Sequence, residues 1–145
     1  MRYSWTGGTE RYLIQLSSQL LERGHEVSIV CRSHKGDADP RLKFEVLRSR
    51  MMLGPAFRMW SFARMVELSG ARYLHSYFFY DQSFMVMQAA WLLDIPRGVS
   101  CYADHMLDDY PWKLVPLQVE LASVVVATSA RIKRELSAKS GGKHD

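Results

Sequence analysis

Apolar and polar positions in the first third of the chain predict a helix followed by two strands. From Thr9 to Arg23 apolar residues recur at helical spacing, and Gly24 follows as a residue suited to a left-handed helix end. VSIVC is rich in β-branched residues and predicts a short buried strand. RSHKGDADP has the composition of a loop, and LKFEVL alternates in polarity, which predicts a half-buried strand.

The middle of the chain repeats this alternation. Pro55 suits the first position of a helix, which is expected to run to Gly70. YLHSYF predicts a strand, residues 82–93 a helix, and GVSCY a further strand after Pro96. In this part of the chain a helix therefore separates the two strands.

The last third predicts two more helices around a strand. A helix is expected around Trp112–Leu121, and Pro116 should kink or delay it. VVVAT predicts a strand, and Ser129 is placed to cap the last helix. Helices alternating with strands throughout indicate an α/β fold, a parallel sheet with helices on both faces.

A sheet of this type binds ligands beyond the carboxyl ends of its strands. The glycine pair Gly7–Gly8 opens the first helix, where glycine lets the backbone approach a ligand and free N–H groups favour an anion. An ordinary tight turn is the alternative interpretation of this pair.

Composition places the chain among ordinary globular proteins. Its 145 residues, 48% hydrophobic and 23% charged, correspond to one domain or part of one. The formal charge of +4 permits anionic partners, but nucleic acid is not expected because no recognisable module or clustered basic helix occurs.

The two cysteines, Cys31 and Cys101, form no CxxC pair and are expected to be buried thiols of a cytoplasmic protein. The longest clearly apolar run, ASVVVATSA, is shorter than the roughly 18 residues that span a bilayer.

The run GGTERYLIQLSSQLLERGHEVSIVC resembles the start of retaining, nucleotide-sugar-using GT-B glycosyltransferases of the family-4, group-1 type. The N-terminal domain of that family carries a GGxE turn, an amphipathic helix and an RGHEV step into the second strand. YLHSYF is similar to the family's His-x-His-Phe strand end, and DIPRGVSCYADH to its IP–strand–His-Gly-x-Asp segment. VVVATSARIKREL is similar to its last strand and Ser-capped helix.

The resemblance implies a Rossmann-like, doubly wound parallel sheet that forms the acceptor-side half of a GT-B enzyme. Residues 1–145 would be this domain, incomplete, because MRYSWT maps onto the loop after the family's first strand. The C-terminal donor-binding domain, with its pair of glutamates, has no counterpart here. The chain is therefore expected to be a fragment that lacks its first strand and is inactive alone.

The resemblance also places binding residues at the glycine turn. Gly7 and Gly8 match the turn that approaches the donor diphosphate and the acceptor, with a purely structural turn as the alternative. Glu10 matches the family's turn glutamate, and it is equally consistent with a first-turn acid that favours the helix dipole.

Three candidate catalytic residues lie at the end of the strand GVSCY or just after it. Aligned through Ser100, Tyr102 falls on the family histidine near the transferred sugar, and Asp104 or His105 could supply the polar contact instead. The alternative is that YADHMLDD is a solvated acidic loop. His75 lies on the same edge and is a candidate for binding substrate or donor phosphate, or else a satisfied buried histidine.

Asp104, His105, Asp108 and Asp109 offer oxygen and imidazole ligands, but their spacing matches no metal motif. The resembled fold usually needs no bound metal for transfer, so neither metal nor cofactor is expected. The expected partners are a nucleotide-sugar donor, held mostly by the missing C-terminal domain, and a glycan or lipid-linked acceptor.

A basic and aromatic segment, RSRMMLGPAFRMWSFARM, suggests a further partner. On a helix, Arg58, Ser61 and Arg64 form a polar stripe, which suits contact with an anionic membrane at the inner face of the plasma membrane. The alternative is a helix that packs into the core and exposes only a narrow polar face to solvent. The residues that flank the stripe are Phe57, Trp60, Phe62 and Met65.

Two functions remain open from the sequence: a glycosyltransferase domain, and a non-catalytic Rossmann-like remnant or binding module. A dehydrogenase is disfavoured because no GxGxxG occurs and the second strand ends in Cys31–Arg32 without an acidic residue.

Overall fold

The computed structural model describes residues 2–3, 8–31, 33–34, 39–46, 54–102 and 113–140. These residues belong to two compact units, Met1–Met52 and Leu53–Asp145. Each unit contains helices and parallel strands, so the predicted α/β class with parallel pairing is confirmed.

Among its described residues, the first unit contains one helix and two pairs of parallel strands. Strand β2 pairs with β4, and Ile29 and Cys31 of β2 are buried together with Leu42. In the helix, Ser17 is the buried residue while Tyr12 is exposed, so the buried face is narrower than the leucine spacing predicted. The elements are β1 (Arg2–Tyr3), α1 (Gly8–Glu22), β2 (Ser28–Cys31), β3 (Ser33–His34) and β4 (Lys43–Val46).

Helix α1 ends as the sequence predicts. Gly24 has φ 82° and donates its N–H to the carbonyl of Leu21, while His25 donates to the carbonyl of Leu20. This pair of bonds is a Schellman motif, which satisfies carbonyl groups that the last helical turn leaves open.

Two segments that were predicted to be loops are strands instead. Arg2–Tyr3 and Ser33–His34 pair in parallel as β1 and β3. The physical reason is that backbone N–H and C=O groups require partners, and pairing between two segments distant in sequence satisfies them where local composition favours a loop.

The second unit is a three-stranded parallel sheet in the order β5-β6-β7. The register places His75 of β5 beside Gly98 of β6, and Gly98 beside Val124 of β7. The elements are α2 (Pro55–Ser69), β5 (Leu74–Tyr77), α3 (Asp81–Leu92), β6 (Arg97–Cys101), α4 (Val115–Leu121), β7 (Val124–Ala127) and α5 (Ala130–Ser140).

The core of this unit lies on one face of the sheet. Val99 and Cys101 of β6 are fully buried against side chains of three helices, and Cys101, like Cys31, is a buried thiol as expected. The helix side chains in this core are Met87 of α3, Val115 and Val119 of α4, and Ile132 and Leu136 of α5.

The helix boundaries of the second unit follow the local signals. Helix α2 begins at Pro55 and ends at Gly70, which is left-handed with φ 67°. Helix α4 begins at Val115 with Pro116 in its first turn, so the proline delays the helix as predicted. Ser129 caps α5 because its Oγ accepts a hydrogen bond from the N–H of Ile132 at 3.2 Å.

Helix α2 has an exposed face that is partly apolar. Phe57 and Trp60 are exposed, and their rings lie 5.8 Å apart between centroids. Phe62 was predicted to flank the polar stripe and is buried, as is Val66 one helical turn later. Arg64 forms an ion pair with Glu67, so part of the stripe's positive charge is compensated.

Candidate functional site

The face of the three-stranded sheet opposite Val99 and Cys101 carries polar and aromatic side chains, and Tyr77 and Tyr102 at its carboxyl end also pack against the apolar cluster. Successive residues of a strand point to opposite faces, so Tyr73, His75 and Tyr77 share one face of the β5 segment. The register places Ser100 of β6 beside Tyr77 on the same face. This group of side chains contains one of the predicted site residues, His75.

His75 is held between two hydroxyl groups. Its Nδ1 lies 2.8 Å from the hydroxyl oxygen of Tyr73, and its Nε2 lies 2.6 Å from Oγ of Ser100. Burial lowers the pKa of His75 below its ordinary value of 6.5, and burial also raises the pKa of Tyr73. The imidazole is therefore neutral at pH 7, with both ring nitrogens already engaged.

Gly98 makes this arrangement possible. A Cβ at this position would lie 2.1 Å from the hydroxyl oxygen of Tyr73 and 2.6 Å from Nδ1 of His75. Both distances are far below van der Waals contact, so only glycine leaves room for the hydroxyl–imidazole pair.

At the carboxyl ends of β5 and β6, Tyr77 and Tyr102 stack. Their ring centroids are 5.7 Å apart with an interplanar angle of 24°, and His75 meets Tyr77 edge-on at 5.2 Å. Aromatic pairs of this kind contribute about 0.5–1.5 kcal/mol beyond their burial. Thr128 fixes the backbone here by donating its hydroxyl to the carbonyl oxygens of Cys101 and Tyr102, each at 3.1 Å.

The turn after β5 has an unusual backbone. Phe78 adopts φ 66°, which is rare for a bulky residue and costs free energy. Its N–H donates to the carbonyl of Ser100 at 2.7 Å, and the buried hydroxyl of Ser83 donates to its carbonyl. Gln118 donates its amide to the carbonyl of Phe79 at 3.4 Å, so buried side chains hold this turn in place.

The structure brings two predicted site residues into one group, since His75 contacts Tyr77 and Tyr77 stacks on Tyr102. Gly8 is the first residue of α1, and Glu10 lies in the first turn of that helix, where an acid favours the dipole. Gly7, Asp104 and His105 lie outside the described residues, as do Asp108 and Asp109.

Within the described ranges, no group of three or more His, Cys, Asp or Glu side chains is placed to hold a metal ion. Among the same residues, no helix is both long and apolar enough to cross a membrane.

Sequence reasoning did not find the partners of His75. Tyr73 and Gly98 carried no motif, and Ser100 served only as an alignment point. The strand alternation contained the signal, because odd-numbered residues of YLHSYF and even-numbered residues of GVSCY face the same side of adjacent strands. The missing information was the register between the strands.

Comparison with protein families gives one match, to the family model for Glycosyltransferase Family 4 over residues 6–144. The match spans both compact units and agrees with the resemblance in the sequence. No curated protein matches the chain. The chain belongs to glycosyltransferase family 4, as an N-terminal GT-B domain of the group 1 type.

Proposed function

We propose that this chain forms the acceptor-side half of an enzyme that transfers a sugar from a nucleotide-sugar donor to a glycan or lipid-linked acceptor. The family match is the observation that carries the proposal. The side chains at the carboxyl ends of β5 and β6 support it, because parallel sheets bind ligands beyond these ends.

Tyr102 is the described side chain that we place nearest the transferred sugar. Its ring is held by Tyr77, and its carbonyl by Thr128, so its position is defined by two neighbouring strands. A phenol hydroxyl can donate a hydrogen bond to a sugar oxygen without changing its charge. Asp104 and His105 complete the proposed catalytic group, and front-face departure of the nucleotide would need such polar stabilisation more than a nucleophile.

Gly7, Gly8 and Glu10 form the proposed donor-phosphate side. Gly8 opens α1, a helix of 15 residues, and N–H groups at a helix start favour phosphate. Most donor contacts would come from a second domain, the C-terminal half of a GT-B enzyme. No metal or other cofactor is part of the proposal.

His75 is a weaker candidate for direct contact with substrate or phosphate. Both of its ring nitrogens are already bonded to hydroxyl groups, so a ligand would have to displace Tyr73 or Ser100.

The test is a titration of the ¹⁵N-labelled chain with nucleotide sugars and short oligosaccharides, followed by amide NMR. We expect a donor to shift the amide of Gly8 and an acceptor to shift that of Tyr102. Tyr102→Phe should weaken the acceptor effect several-fold, whereas Tyr12→Phe, which removes a hydroxyl from an exposed ring on α1, should not. If no donor or acceptor shifts any amide, the proposal that this half makes its own contacts to donor and acceptor is overturned.

The exposed face of α2 supports contact with an anionic membrane at the cytoplasmic side. Trp60 is 60% exposed beside Phe57, and Arg58 and Arg64 lie on the same helix. Aromatic rings with arginines suit the interface of acidic lipids, where lipid-linked acceptors reside.

Co-sedimentation with vesicles tests this contact. Binding should increase with the fraction of phosphatidylglycerol in phosphatidylcholine and should fall on Trp60→Ala. Trp91→Ala is a matched control, because Trp91 is equally exposed, at 60%, but lies on α3. Binding that ignores the acidic lipid would remove the membrane from the proposal.

A further inference from the structure

The side chains around His75 form one connected series across two strands. Tyr73 is hydrogen-bonded to Nδ1 of His75, and the His75 ring meets Tyr77 at 5.2 Å. Tyr77 in turn stacks on Tyr102. The series therefore begins just before β5, runs along it and ends just after β6, at the residue proposed to contact the sugar.

The imidazole in this series cannot turn freely. A ring with a single partner can rotate about that bond, but a ring bonded at both nitrogens has its plane fixed by two distances, here 2.8 and 2.6 Å. Ser100 is 1% exposed and sits on the neighbouring strand, so one of the two anchors does not move with β5. The anchors thus tie the orientation of His75 to the pairing of β5 with β6.

The hydrogen bond between Tyr73 and His75 depends on the close approach of both side chains to Gly98. Its missing side chain leaves the space that the hydroxyl of Tyr73 and Nδ1 of His75 occupy. The ring of His75 then has one further aromatic neighbour on its own strand, Tyr77, against which its edge is placed.

We propose that Tyr73 and Ser100 are positioning residues that fix the ring of His75, and that His75 acts by holding the Tyr77–Tyr102 stack rather than by touching sugar or phosphate. The benefit of this role to sugar transfer rests on the proposed function. The coupling of His75 to the Tyr77–Tyr102 stack does not require a substrate.

The two hydroxyl anchors can satisfy either tautomer of the neutral His75 ring. In the neutral ring one nitrogen donates and the other accepts, so each hydroxyl takes the complementary part. Both single-proton arrangements satisfy the pair, and the two bonds change direction together. Removal of either hydroxyl leaves one nitrogen without its partner in this group.

The test is an NMR comparison of the chain with three variants: Tyr73→Phe, Ser100→Ala and Gly98→Ala. Two signals are followed, the ¹⁵N shifts of the His75 ring, assigned with His75→Gln, and the ring protons of Tyr102. We expect all three variants to change the His75 nitrogen shifts and to move the Tyr102 ring protons, although none of them alters Tyr102 or Tyr77. Tyr12→Phe, the matched control on α1, should change neither signal.

Tyr73→Phe keeps the test valid if the buried substitutions unfold the unit, since Tyr73 is 46% exposed and loses only its hydroxyl. Movement of the His75 shifts with Tyr102 unchanged would overturn the proposal, because His75 would then have a local structural role. Unchanged His75 shifts would also overturn it. Both outcomes are independent of the ligand titration, so failure of this coupling and failure of the proposed transferase function are distinguishable.

Discussion

The two faces of the β5-β6-β7 sheet are built on different principles. On the core face, Val99 and Cys101 pack with helix side chains in one apolar cluster. On the opposite face, His75 and Ser100 meet through a hydrogen bond of 2.6 Å. Apolar packing depends on volume and tolerates similar shapes, whereas a bonded imidazole depends on particular atoms at particular distances. Substitutions should therefore be costly for different reasons on the two faces.

The largest expected effect is on the core side. Phe79 is 0% exposed and belongs to the apolar cluster, so Phe79→Ala should lower the free energy of unfolding by about 3–5 kcal/mol. Urea unfolding followed by circular dichroism measures this change. Trp91→Ala, at an exposed position on α3, should change stability by only about 0.5 kcal/mol. Equal losses for the two variants would contradict the assignment of Phe79 to the apolar core.

A smaller loss of stability is expected for a substitution at Gly98, where the space beside the backbone is already filled by Tyr73 and His75. Gly98→Ala should cost about 1–3 kcal/mol, because the new Cβ would meet the Tyr73 hydroxyl at 2.1 Å and His75 Nδ1 at 2.6 Å. The hydroxyl of Tyr73 lies at the end of a side chain and can move, which limits the cost.

Gly54→Ala is the matched control for this substitution. Gly54 has φ −59° and no atom within 4 Å of an added Cβ, so alanine should be neutral or stabilising by about 0.4–1 kcal/mol. Urea unfolding measures the change in stability for Gly98→Ala and for Gly54→Ala. A Gly98→Ala variant as stable as Gly54→Ala would mean that the space beside Gly98 is not needed.

Features set by neighbouring residues could be predicted from the sequence. Gly24 and Gly70 end helices with positive φ, and Ser129 caps α5, because each effect acts within one helical turn. The five strands predicted from β-branched and alternating runs are present for the same local reason. Parallel pairing followed from the alternation of helices and strands.

Features set by distant residues could not be predicted. The pairing of Arg2–Tyr3 with Ser33–His34 joins two segments whose composition favours loops. The left-handed backbone of Phe78 is imposed by Ser83 and by the carbonyl of Ser100, which lies on another strand. In the candidate site, His75 and Tyr102 were found by family resemblance, but Ser100 as a partner of His75 required the register.

The smallest expected difference between the two faces is in how acid changes their contribution to stability. The apolar cluster contains no Asp, Glu or His side chain, whereas burial lowers the pKa of His75, on the opposite face, from 6.5. Below about pH 6.5 the unfolded chain takes up a proton at this residue while the folded chain does not, so acid favours unfolding. Stability should therefore be independent of His75 above that pH, fall as the pH drops, and level off below the folded pKa.

Urea unfolding of the wild type and of His75→Gln between pH 4.5 and about 7.5 isolates this contribution. The variant should lose less stability on acidification than the wild type, whatever its stability at pH 7.5. Asp39 does not interfere in this range, because Arg41 holds the pKa of its carboxyl at about 2. Parallel pH profiles for the two proteins would show that burial does not lower the pKa of His75. A flatter profile for the variant would place the acid sensitivity on the polar face.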